Sequence, residues 1–175
     1  IINCSLYIND VFNEVDTSIT KDINQSFTKT LSGGQYNWSI TCFDSVEFST
    51  STGNYNLTID VSAPTTTLNS PVNGYNSSST SMMFNCSALD NSALVNLTLY
   101  VWNNSGDLDY SNTTNISGVS NSTTWTTTLA ANADYSWNCL TYDDADTSDW
   151  DSTNRTFTID IIYPTISYES PTDTA

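Results

Sequence analysis

Apolar and polar residues alternate along most of this chain, in short runs closed off by clusters of Ser, Thr, Asn and Asp. In "SMMFNCSAL" (Ser81–Leu89), Met82, Phe84, Cys86 and Ala88 occupy every second position. In "LVNLTLYVW" (Leu94–Trp102), Leu97, Leu99 and Val101 do the same. A strand turns successive side chains to opposite faces, so a period of two marks a half-buried β-strand. No stretch shows a clean helical period. The pattern predicts strands near Thr65–Asn69, Thr80–Ala88, Leu94–Trp102, Leu108–Ile116, Thr123–Leu129, Tyr135–Tyr142 and Asn154–Ile162. The expected class is all-β, as tandem antiparallel sandwiches of about seven strands each.

The pattern is used twice. "TIDVSAPTTTLNSP" (Thr58–Pro71) matches "TIDIIYPTISYESP" (Thr158–Pro171) at an offset of about 100 residues. "CSLYI" (Cys4–Ile8) matches "LTLYV" (Leu97–Val101), and Phe27 and Leu31 match Trp125 and Leu129. "YNWSITCFD" (Tyr36–Asp44) matches "YSWNCLTYD" (Tyr135–Asp143). The first copy, 1–63, thus starts inside its third strand, carries fifth-strand residues at Phe27–Leu31 and ends its last strand at Tyr55–Val61. Residues 64–163 make a complete copy, and 164–175 open a further one. A copy without its first two strands would expose half a core and an unpaired sheet edge. The expectation is a longer continuous array, or chains completed by strand donation; either gives a linear head-to-tail fibre.

"LSGGQYNW" (Leu31–Trp38) and "LAANADYSW" (Leu129–Trp137) resemble the corner before the penultimate strand of immunoglobulin-like and fibronectin type III-like domains. The resemblance implies a Tyr36 or Tyr135 hydroxyl bonded back to the chain upstream. More widely, "NCSALDNSALVNLTLY", "YSWNCLTYDD" and "NRTFTID" are similar to the tandem immunoglobulin-like repeats of large archaeal and bacterial cell-surface proteins. The similarity covers nearly the whole chain. It departs from antibody-type domains in placing Trp on the penultimate strand rather than the third. It implies a structural role outside the cell, at its surface, as filament, stalk or adhesin. The alternatives are a carbohydrate- or protein-binding module and an accessory domain of a secreted enzyme.

Trp38, Ile40 and Cys42 share a strand face, as do Trp137 and Cys139, so both cysteines point inward despite their different spacing. Cys4 aligns with core Leu97, and Cys86 follows Met82 and Phe84 on an inner face. Of the three connectivities that four cysteines allow, the repeat favours Cys4–Cys42 within one sheet and Cys86–Cys139 between sheets. Free thiols are the alternative, and disulfides belong to oxidising compartments. Zinc fits poorly, with no His and no close Cys pair.

N-glycosylation acceptors stand at Asn3, Asn24, Asn37, Asn56, Asn76, Asn85, Asn96, Asn103, Asn112, Asn115, Asn121 and Asn154. About half of them would arise by chance in a chain so rich in Ser and Thr. Asn3, Asn37, Asn56, Asn85, Asn96 and Asn154 are out of phase with the core and are expected to face solvent. N-linked glycans are therefore the expected attached groups.

The formal charge of -16, from 3 Lys plus Arg against 19 Asp plus Glu, repels nucleic acid and anionic lipid. No segment is apolar enough to insert directly in a membrane. The partners expected are like domains or copies of the chain, and glycans of a host or neighbouring cell surface. Without His there is no Ser-His-Asp or Cys-His arrangement. The only glutamates, Glu14, Glu47 and Glu169, suggest no paired-carboxylate cleft. The expectation is a non-enzyme that requires no cofactor. "YDDADTSDWD" gathers Asp143, Asp144 and Asp146 in one loop, with Asp90 in the loop at the same end of the sandwich. The set could hold Ca²⁺ or be a solvated acidic loop. Tyr7, Tyr100 and Trp102 face outward on equivalent strands and could stack on sugars; the alternative is shielding by their neighbours. Lys29 has the phase of Phe27 and Leu31, which suggests a snorkelling lysine rather than an isopeptide bond.

Overall fold

Burying an apolar stripe on every second residue requires a second layer above the sheet, and the chain supplies one fully in only one of its two halves. A computed structural model describes residues 1–169. The chain divides into two compact units, Ile1–Ser62 and a second beginning at Ala63.

The first unit is a single antiparallel sheet. It contains β1 (Asn3–Ile8), β2 (Val11–Asp16), β3 (Gly34–Phe43), β4 (Ser49–Ser51) and β5 (Tyr55–Ile59). The order is β2-β1-β3-β4, with β5 also on β3. Cys4 lies directly opposite Cys42 in the β1–β3 ladder, and the two form a disulfide with Cα atoms 4.0 Å apart.

The second unit is a two-sheet sandwich. Its strands are β6 (Thr65–Ser70), β7 (Tyr75–Ser77), β8 (Ser81–Leu89), β9 (Leu94–Asn103), β10 (Leu108–Asn115), β11 (Ser120–Thr128), β12 (Ala133–Asp143), β13 (Ser148–Trp150) and β14 (Arg155–Ile159). One sheet runs β11-β8-β6; the other runs β10-β9-β12-β14-β7, with β13 on β12. The alternating residues of both meet in one core. Phe84 is fully buried, its ring edge-on to Trp137 at 5.2 Å and to Phe157 at 5.5 Å. Burying a side chain of this size contributes about 1.5–3 kcal/mol. Cys86 of β8 and Cys139 of β12 join the sheets, with Cα atoms 6.6 Å apart. Both expected pairings are therefore present.

The edge of the sandwich is closed by a strand that changes sheets. β6 pairs with β8, and after the cis Ser70–Pro71 bond β7 runs parallel to β14 in the other sheet. Arg155 holds this crossing: its guanidinium donates to the carbonyls of Asn69 at 3.1 Å and Pro71 at 3.0 Å. It also sits 5.9 Å from the Trp137 ring centroid.

Three expectations need correction. Phe27–Leu31 forms no strand. In the second unit the equivalent β11 pairs with β8 alone, and the first unit has no strand of that kind to pair with. The loop expected around Tyr142–Asp151 contains β13, hydrogen-bonded to β12. The opening strand of a further repeat, placed in 164–175, is not formed over residues 164–169, and its remainder lies outside the described residues.

Candidate functional site

Two surfaces stand out, one in each unit. The first is the inner face of the β1–β3–β5 sheet. Leu6, Ile8, Trp38, Ile40 and Leu57 line a groove of about 380 Å³ there, partly roofed by Phe27 and Leu31 from the irregular connection. Leu57 faces Tyr36 across β5–β3, as Phe157 faces Tyr135 across β14–β12. The two are therefore equivalent, yet Leu57 is 39 % exposed and Phe157 only 1 %. The difference is the missing layer of β6 and β8. Tyr55 stacks on Trp38 at 4.9 Å, where the second unit has Arg155 over Trp137. Lys29 lines the groove and pairs with Glu14.

The second surface is the outer face of the large sheet. Tyr100 and Trp102 lie parallel, 5.8 Å apart. A third ring, Trp150 of β13, packs 4.9 Å from Tyr100 and 6.1 Å from Trp102. Trp150 faces Leu140 across the ladder, and Leu140, although on the outer face, is only 8 % exposed. Trp150 was not singled out from the sequence, because it sits in an acidic run with no visible period. The signal was a hairpin closed by Asp143: its Oδ1 accepts from the N–H groups of Ala145 and Thr147, and its Oδ2 accepts from the Thr147 hydroxyl. In the first unit, among the described residues, Tyr7 meets the ring of Phe12 alone, edge-on at 6.1 Å.

The same hairpin decides how the acidic residues are used. The loops before β9 and after β12 do meet: Asp144 N–H donates to the Ala93 carbonyl. The Ser92 hydroxyl donates to Asp144 at 2.6 Å and the Ser92 N–H to Asp90 at 3.0 Å. Asp143, 1 % exposed, is occupied with its own turn. Asp146 takes a positive φ of 60° at that turn and is exposed. Each of the four thus has a role in loop geometry.

The corner tyrosines are both in place. The Tyr36 hydroxyl donates to Ser32 O at 3.0 Å and the Tyr135 hydroxyl to Ala130 O at 3.1 Å. Burial, and then the charge of Asp109, raise the Tyr135 pKa above its ordinary value.

Among the glycosylation acceptors, Asn24, Asn56, Asn76, Asn112, Asn115 and Asn154 are exposed, and Asn3, Asn37, Asn85, Asn96, Asn103 and Asn121 are half-buried. Asn37 lies opposite Asn56, and Asn96 opposite Asn115, on outer sheet faces. Asn85 does not stand free in solvent as expected. Its Nδ2 donates to Ser122 Oγ, Thr123 O and Thr124 Oγ1, at 2.9–3.1 Å, and its Oδ1 accepts from Asn69.

No family model matches the sequence, and no curated protein matches it significantly. The fold is similar to that of the fibronectin(III)-like modules of Clostridium thermocellum CbhA, with TM-score 0.43 and 14 % identity over 97 % of this chain and 84 % of that one. It is also similar to catalytically inactive OgpA from Akkermansia muciniphila in complex with an O-glycopeptide substrate (TM-score 0.40, 10 % identity, 57 % of this chain and 30 % of that one). Dimeric latent PorU from Porphyromonas gingivalis is a third (TM-score 0.41, 13 % identity, 75 % of this chain and 13 % of that one).

Proposed function

We propose that this chain is a stretch of an extracellular, cell-surface fibre: a linear array of disulfide-linked, N-glycosylated immunoglobulin-like sandwiches serving as filament, stalk or adhesin. One observation carries the reading. The first unit leaves open the apolar face that β6 and β8 cover in the second, and an open face of this kind is stable only when a neighbour closes it. An adjoining stretch of the same array is the simplest supplier, because it delivers both strands as one antiparallel pair. A single donated strand would leave part of the face bare. The disulfides fit an oxidising compartment, and the exposed acceptors fit a glycan coat. In this role the chain needs rigidity and a soluble surface, and no catalytic group or metal. Electron microscopy of native material tests it: thin threads with an axial repeat near one domain length are expected. Compact, discrete particles would contradict it.

A further inference from the structure

The three rings on the outer face of the large sheet have an acceptor asparagine bound to their floor. Asn138 lies opposite Tyr100 in the β12–β9 ladder and is only 3 % exposed. Its Nδ2 donates to Asp151 O at 2.9 Å and to Asn154 Oδ1 at 2.8 Å. The chain reaches this position because the last strand is interrupted. Three steps along β12, Trp137 to Leu140, face five on the other side, Trp150 to Arg155. The two extra residues carry Asn154 back towards the rings. Since a carboxamide is planar, fixing Oδ1 also fixes the direction of Nδ2, the atom a glycan would occupy.

We propose that an N-glycan on Asn154 folds back across Tyr100, Trp102 and Trp150, laying the apolar C–H faces of its first sugars on the rings. The inference rests on the reading that the chain is N-glycosylated. Sugar rings present a C–H face that suits the electron-rich face of an aromatic ring. The chain's charge of -16 disfavours an anionic occupant, and a neutral sugar meets no such penalty. The tether settles the source: a glycan attached beside the patch is held at an effective concentration of roughly millimolar or more, which a free sugar would have to match. The first unit is an internal comparison. There Asn9, Ser51 and Asn54 take the places of Trp102, Trp150 and Asn154, and "NYN" at Asn54 is not an acceptor. The first unit keeps Tyr7 where Tyr100 stands, and lacks both tryptophans together with the acceptor.

The test uses the full glycosylated chain. Glycopeptide mass spectrometry establishes occupancy at Asn154, and Asn154→Asp then removes the glycan while keeping an acceptor for Asn138. The indole N–H signals of Trp102 and Trp150 are expected to shift and their acrylamide quenching to rise. Asn96→Asp, on the same sheet face, should leave both unchanged. Trp150→Ala should move the signals of the first sugars towards free-glycan values. Other acceptors occupied with Asn154 bare would overturn this inference alone; every acceptor bare would overturn the glycan coat as well. An occupied Asn154 whose removal leaves both indoles unchanged would also overturn it. So would a free glycan that shifts the indoles of the intact glycoprotein, since the patch would then serve an outside sugar.

Discussion

Asn85 belongs to an acceptor triplet, yet its amide shares two hydrogens among three oxygens on β11, and a glycan would replace one of those hydrogens and crowd the β8–β11 ladder. We expect glycopeptide mapping of folded, native material to find Asn85 bare and the exposed Asn56, Asn76 and Asn115 occupied. A glycan on Asn85 would mean that the β8–β11 edge differs from the one described. The sequence reveals which face a residue takes but not what stands beside it: Ser122 and Thr124 become neighbours of Asn85 only through the strand register. Tyr135 is a second case in which position follows from sequence and environment does not. Its folded pKa is raised, so the stability tied to its neutral form is complete below the ordinary value of 10.0 and is lost as pH rises through the folded pKa. Thermal melting of the second unit should therefore weaken above about pH 10. Tyr135→Phe should cost about 1 kcal/mol and flatten this alkaline limb relative to the unaltered chain. An unchanged limb would remove Tyr135 as its source.

Strands were the most legible level. The period of two located β6 and β8 most cleanly because each buries one face, and burial is what the period records. Phe27–Leu31 misled because its alternation matches a strand whose ladder partner is missing from the first unit. β13 stayed hidden because its residues are exposed, so no burial constrains their pattern. The cost of disturbing the core follows from the same geometry. Phe84→Ala removes the ring between Trp137 and Phe157 and should destabilise the second unit by about 3–5 kcal/mol in denaturant titration. Replacing Cys86 and Cys139 together by Ala should cost about 2–4 kcal/mol. A loss below 1 kcal/mol from Phe84→Ala would show that these rings do not form the centre of the core.

For the whole molecule, a charge of -16 implies self-repulsion that salt relieves, since the screening length falls from about 10 Å at 0.1 M to about 3 Å at 1 M. The melting temperature should rise over that range; a fall would show that attractive ion pairs dominate, against the count of charges. The array itself depends on the open face of the first unit. Leu97 and Cys4 are equivalent positions, so Ile1 stands where Leu94 stands in the second unit. Duplicating residues 63–93 ahead of Ile1, with Cys86 of the added copy changed to Ala, places a β6–β8 pair before β1 at the spacing it has before β9, in the sheet facing it. Native-state hydrogen exchange of the extended chain is then the most direct measurement. The amides of Leu6, Trp38 and Ile40 should slow by about tenfold or more as the sandwich closes, and Leu57 should become protected. Exchange unchanged from that of the original chain would mean that the groove is not a seat for those strands, and the array reading would fall with it.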